Sequence, residues 1–135
     1  MRESETEALN EGKERIQSEG KHLTPGRIVA ALHLGFWVAL IGSFYAQALW
    51  DQHLHKCFSP PVKRSKLYSD LNSIRSLRNR IAHYEPILTR NLPKDFQKIT
   101  NAIRLICPTT ETWVRKNTEF LEHLANRPVP PEPQP

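Results

Sequence analysis

The segment from Thr24 to Trp50, "TPGRIVAALHLGFWVALIGSFYAQALW", constrains this chain more than any other, because it carries one formal charge, Arg27, in twenty-seven residues. Thr24 is a suitable helix cap and Pro25 suits a first helical turn, so the pattern predicts a helix running to about Trp50. A helix of that length is long enough to cross a bilayer. Three features oppose that reading. His33 and Gln47 lie inside the segment, no basic cluster sets a topology, and the rest of the chain needs a core partner. The expectation is a buried central helix. Gly35, Gly42 and Ala46 would form a smooth stripe on it, against which another helix packs closely.

Beyond Trp50 the periodicity is helical. "FSPPVKR" breaks the chain into a loop. Lys66 to Ala82 then carries Leu67, Leu71, Ile74, Leu77 and Ile81 on one side. Asn91 to Ile106 forms a third helix with Phe96, Ile99, Ile103 and Ile106 inward. "CPTTETW" ends it and starts a fourth with a threonine cap, whose apolar face holds Trp113, Phe120, Leu121 and Leu124. No stretch alternates with a period of two and nothing repeats. The chain of 135 residues is long enough for one domain and too short for two, so the predicted fold class is all-α, a bundle of four principal helices.

Both ends fall outside that bundle. Residues 1–22 hold six glutamates with only Leu9 and Ile16 as large aliphatics, which predicts a frayed helix or a solvated acidic arm. Residues 128–135, "PVPPEPQP", hold five prolines and predict an extended, disordered tail. The remaining residues 23–127 form the domain. They carry 15 Lys and Arg against 7 Asp and Glu, a net +8, and residues 63–104 alone reach +7. Such a surplus points to a polyanionic partner, nucleic acid before a membrane surface, or else to a soluble basic surface. The arm's net −2 suggests a cover for the basic face at rest.

Cys57 and Cys107 lie far apart and no signal peptide precedes them, which suggests free thiols in a reducing cytoplasm. "HLHKC", His53 to Cys57, crowds three metal-ligating side chains together, but the spacing suits no common zinc site and no second cluster completes it. Neither a metal nor another cofactor is expected.

The stretch "LRNRIAHYEPI", Leu77 to Ile87, contains the one residue that violates the helical pattern. With Leu67 at zero, Arg78 projects at about 20°, inside the apolar stripe, and His83 at about 160°. A straight helix in a single chain would hold the two about 140° apart. Two features bring them together. Pro86 disfavours helix at Glu85, so the helix should end near His83 and free the imidazole. A symmetric homodimer through this helix would place arginine and histidine from both chains in one cleft. The plainer readings are a snorkelling arginine stem or an ion pair for Arg78, and a helix-end histidine favoured by the dipole for His83.

The stretch resembles the signature of the abortive-infection (Abi-like) proteins of the HEPN superfamily: an arginine, usually a polar residue after it, then a histidine four to six positions on. Arg78, Asn79 and His83 match it with four residues between. The likeness extends through "GRIVAALHLGFWVAL", "LW" and "ICPTTETW", about residues 23–127. Tyr84 stands where such proteins often have a second histidine, and the helical segment that usually precedes the GFW block is missing.

The resemblance implies a metal-independent endoribonuclease acting in phage defence or as a toxin, with RNA as substrate and a cognate antitoxin as a further partner. Cleavage through the RNA's own 2′-hydroxyl needs a base, an acid and positive charge on the phosphorane. A histidine titrates in the right range, so His83 is assigned proton transfer. Arg78 would stabilise the transition state, and Asn79, one turn before His83, would orient the ring or hold phosphate. Lys63, Arg64, Lys66, Arg75 and Arg80 would track the backbone, or else form a solvated face. The alternative is a non-catalytic, basic RNA-binding or dimeric protein-interaction module that uses the same helix as its seam.

Overall fold

The computed structural model describes residues 1–127; the proline-rich tail lies outside the described residues. The fold is all-α, with no strand among the described residues. Its helices are α1 (Glu3–Ser18), α2 (Pro25–Ala31), α3 (Leu34–Leu40), α4 (Arg64–Ala82), α5 (Leu92–Ile106), α6 (Pro108–Asn117) and α7 (Phe120–Ala125). A 3-10 turn at Ser43–Tyr45, a π-helical turn at Ala46–Trp50 and a second 3-10 turn at Leu54–Cys57 link α3 to α4.

The apolar segment is not one helix. It starts as expected, with the Thr24 hydroxyl accepting from the Arg27 amide at 3.3 Å and Pro25 in the first turn. Leu32 then turns extended, and His33 caps a new helix by accepting from the Phe36 amide at 3.1 Å. The histidine that argued against a membrane span is therefore a structural cap. At Gly42 the chain bends again. A Cβ there would lie 2.8 Å from the Ala39 carbonyl oxygen, so glycine serves a tight turn rather than a smooth helix face. Gly42→Ala is expected to lower stability by about 1–3 kcal/mol, measured by urea unfolding, because a backbone oxygen cannot move aside as a side chain would.

Breaking the segment lets it fold back on itself and bury Phe36, Val38, Tyr45 and Trp50 together with Leu67 and Leu77 of α4. Trp50 stacks on Phe58 at 5.7 Å, which anchors the proline loop. Among the described residues no helix is long and apolar enough to cross a membrane.

The first helix corrects the expectation of a frayed or solvated arm. α1 packs on α2 and α3, with Ile16 buried and Gly12 close to Ala31 and Leu32. The buried Glu5 carboxylate accepts from the Tyr45 hydroxyl at 2.9 Å, and that hydroxyl accepts from the Arg2 amide at 3.0 Å. Two widely spaced aliphatics understate such a helix, because its buried residues besides Ile16 are a glycine and a satisfied carboxylate. Among the described residues, the only α1-side carboxylate in an ion pair is Glu19, with Lys21, and none pairs with a basic residue of α4.

The C-terminal half departs in two further ways. The expected fourth helix is broken at Thr118, whose hydroxyl accepts from the Phe120 amide at 3.2 Å and starts α7. Cys107, not a threonine, occupies the cap position of α6. Ile106, Trp113 and Leu121, expected inside, are exposed, whereas Phe96 and Phe120 stack at 4.5 Å as the periodicity suggests.

Candidate functional site

α4 begins two residues earlier than the hydrophobic pattern suggests and ends at Ala82, with His83 as its capping residue. The helix end is a Schellman motif: the Tyr84 amide bonds to the Ile81 carbonyl at 3.1 Å and the Glu85 amide to the Arg80 carbonyl at 2.8 Å. This geometry requires a left-handed residue after the cap, and Tyr84 supplies it with φ of 56°. At the end of α1 the same motif is closed by Gly20 with φ of 68°. Glycine is the unstrained solution, and Tyr84 side-chain packing offers no compensation, since the residue is 97% exposed. Tyr84→Gly is expected to raise stability by about 0.5–1 kcal/mol, read as a higher urea midpoint.

The turn from His83 to Asn91 is held from below. Arg90 donates from Nε and Nη2 to the two carboxylate oxygens of Asp95, at 2.9 and 3.0 Å. The hydrogen bond to Asp95 raises the Arg90 guanidinium above its ordinary range. Asn91 caps α5 by accepting from the Lys94 amide at 3.0 Å. A second tie, Lys98 Nζ to Ser73 Oγ at 2.7 Å, joins α5 to the middle of α4.

Arg78 is exposed rather than in a buried stripe, which corrects the helical-wheel placement. On α4, Leu67 and Leu77 are buried and Asp70, Leu71, Ser73 and Ile74 half-buried, whereas Arg78, between Leu67 and Leu71 in direction, is open to solvent. Ile81, assigned to the buried stripe, is 54% exposed in the last turn of α4. Arg78 Nη1 donates to Asn79 Oδ1 at 3.4 Å, and among the described residues no carboxylate pairs with it. His83 is exposed, and its amide bonds to the Asn79 carbonyl at 2.9 Å. Asn79 is thus drawn to Arg78 through its side chain and to His83 only through its backbone. Arg78 and His83 remain separated by about 7.5 Å of helix rise within one chain.

The five residues expected to follow the RNA backbone divide. Lys63 and Arg75 are exposed. Lys66 is engaged by Asp70 one turn on. Arg64 donates from Nη1 to the Ile41 carbonyl at 2.9 Å and closes the end of α3. Arg80 lies 3.4 Å from Glu85, an ion-pair distance without hydrogen-bond geometry, so its Nε is buried without an acceptor. Arg64 and Arg80 are accordingly partly committed to holding the fold.

Both cysteines are free. The Thr110 hydroxyl, with the amides of Thr110 and Thr109, holds the Cys107 thiol below its ordinary range. In "HLHKC", His55 Nδ1 meets the Trp50 carbonyl at 2.8 Å and Cys57 lies near the His53 carbonyl, so these side chains serve the local turn. Among the described residues no three His, Cys, Asp or Glu side chains converge on a possible metal position.

Comparison of the chain with protein-family models, with curated proteins and with solved structures finds no match.

Proposed function

We propose that the protein is an endoribonuclease of the Abi-like HEPN type, in which Arg78, Asn79 and His83 act on RNA in the cytoplasm without a metal. The observation that carries this reading is the state of Arg78: a guanidinium in the last turns of α4, exposed, unpaired with any described carboxylate, beside Asn79 and ahead of a helix-end histidine. An exposed arginine without an acid keeps its donors for phosphate oxygens.

In the proposed reaction a histidine removes the 2′-hydroxyl proton, and the 2′-oxygen attacks the adjacent phosphorus. The 5′-oxygen leaves with a proton from a second acid, giving a 2′,3′-cyclic phosphate and a 5′-hydroxyl. Arg78 neutralises the phosphorane, and Asn79 keeps its guanidinium in place. One motif histidine per chain serves one proton transfer at a time. A homodimer seam at the end of α4 supplies the other, and exposed Ile81, Tyr84 and Leu88 around that end offer apolar surface for it. Phage defence or toxicity, with a cognate antitoxin, is the setting this activity implies.

The experiment is incubation of wild type, Arg78→Ala and His83→Ala with RNA in EDTA. Cleavage by wild type alone, with cyclic-phosphate ends, supports the enzyme. Equal RNA binding by all three without cleavage replaces it with a binding module.

A further inference from the structure

At the other end of α4, a cavity of about 260 Å³ opens between the start of α1, the turn after α3 and the first turn of α4. Arg2, Ser43, Phe44, Arg64, Ser65 and Tyr68 are among the residues that line it, and no carboxylate does. Among the described residues neither arginine makes an ion pair. Arg64 uses Nη1 on the Ile41 carbonyl, which leaves its other guanidinium nitrogens for the recess. The Arg2 guanidinium lies over the Phe44 ring, 4.6 Å from its centre. Two cations in the wall of one recess repel each other, and an anion between them would relieve that repulsion.

We propose that this recess binds the phosphate group of a nucleotide, with Arg2 and Arg64 as charged donors and Ser43, Ser65 and Tyr68 as hydroxyl donors. Guanidinium forks match phosphate oxygens in geometry as well as charge. The volume lies below the roughly 300–1,000 Å³ of pockets that enclose a whole small molecule, so it takes a phosphate group and leaves the base outside. Tyr68, 38% exposed, and the face of Phe44 that Arg2 does not cover offer aromatic surface on which a base would stack. Arg64 and Arg78 are about 21 Å apart along α4, so the recess is a separate site and the inference does not rest on the ribonuclease reading.

The phosphate can belong to a free mononucleotide or to an RNA chain. Calorimetric titration with inorganic phosphate, AMP and a short single-stranded oligoribonucleotide at constant ionic strength separates the two. Wild type is expected to bind phosphate and AMP, and Arg2→Gln to weaken both about tenfold, since each charge-assisted contact is lost whole. Arg2 is exposed, and Ser65→Ala provides a second, milder variant with a smaller loss. RNA binding no tighter than AMP identifies the mononucleotide; tighter RNA binding that falls in the same variants identifies the chain. Phosphate and AMP affinities unchanged in both variants, or no binding of either by wild type, overturns the site.

Discussion

Substitution of His83 by alanine is expected to lower the rate of RNA cleavage by about 10²–10⁴-fold, the range removed with a general acid or base. Arg78→Ala is expected to lose about 10²–10³-fold, the range seen when a donor to the developing anion is removed. Both side chains are exposed, so neither change should move stability beyond the roughly ±0.5 kcal/mol typical of surface sites, read from the urea midpoint. Mixing the two inactive variants is an additional readout. If the seam at the end of α4 brings one chain's arginine to the other's histidine, mixed dimers regain a fraction of activity that neither variant has alone. Steady-state cleavage of a fluorogenic oligoribonucleotide in EDTA measures all three rates. Equal rates for wild type and both variants would remove the motif from the reaction.

Asp95→Ala is expected to destabilise the fold by about 3 kcal/mol, because it removes the buried partner of a bidentate pair and strands Arg90 with its charge. Asp95 is 6% exposed and both of its oxygens are taken by Arg90. Asp95→Asn keeps one acceptor and should lose less. Urea unfolding followed by circular dichroism measures both, and a loss under about 1 kcal/mol for alanine would show that the pair contributes no more than an exposed one. The pair ties the end of the segment that follows His83 to the first turn of α5, a link that the spacing of arginine and histidine does not reveal.

The all-helical class, the extent of α5 and the end of α4 are legible in the sequence, with Pro86 and its neighbours marking where α4 stops, whereas its start lies two residues before the periodicity begins. The apolar segment hides its breaks because apolar content alone carries no period to show where a helix ends. Those breaks lie in His33, acting as a cap through its ring nitrogen, and in Gly42, where a carbonyl approaches. A helical wheel gives directions but not neighbours: on α4 it groups Arg78 and Ile81 with Leu67 and Leu77, yet the first two are exposed and the last two buried. Arg2 gives no signal in the sequence because six glutamates make its surroundings look solvated, whereas one of them, Glu5, is buried against Tyr45.

The principal helix pairs, α1 with α2 and α3, α3 with α4, α4 with α5 and α5 with α6, are neighbours or next neighbours along the chain. Closing short loops carries little entropic penalty, and chains with such local topology reach the native state quickly. Assembly can therefore proceed in the order of synthesis, each rod finding its predecessor already in place. The Arg90–Asp95 brace closes as soon as the first turn of α5 forms, ahead of α6 and α7.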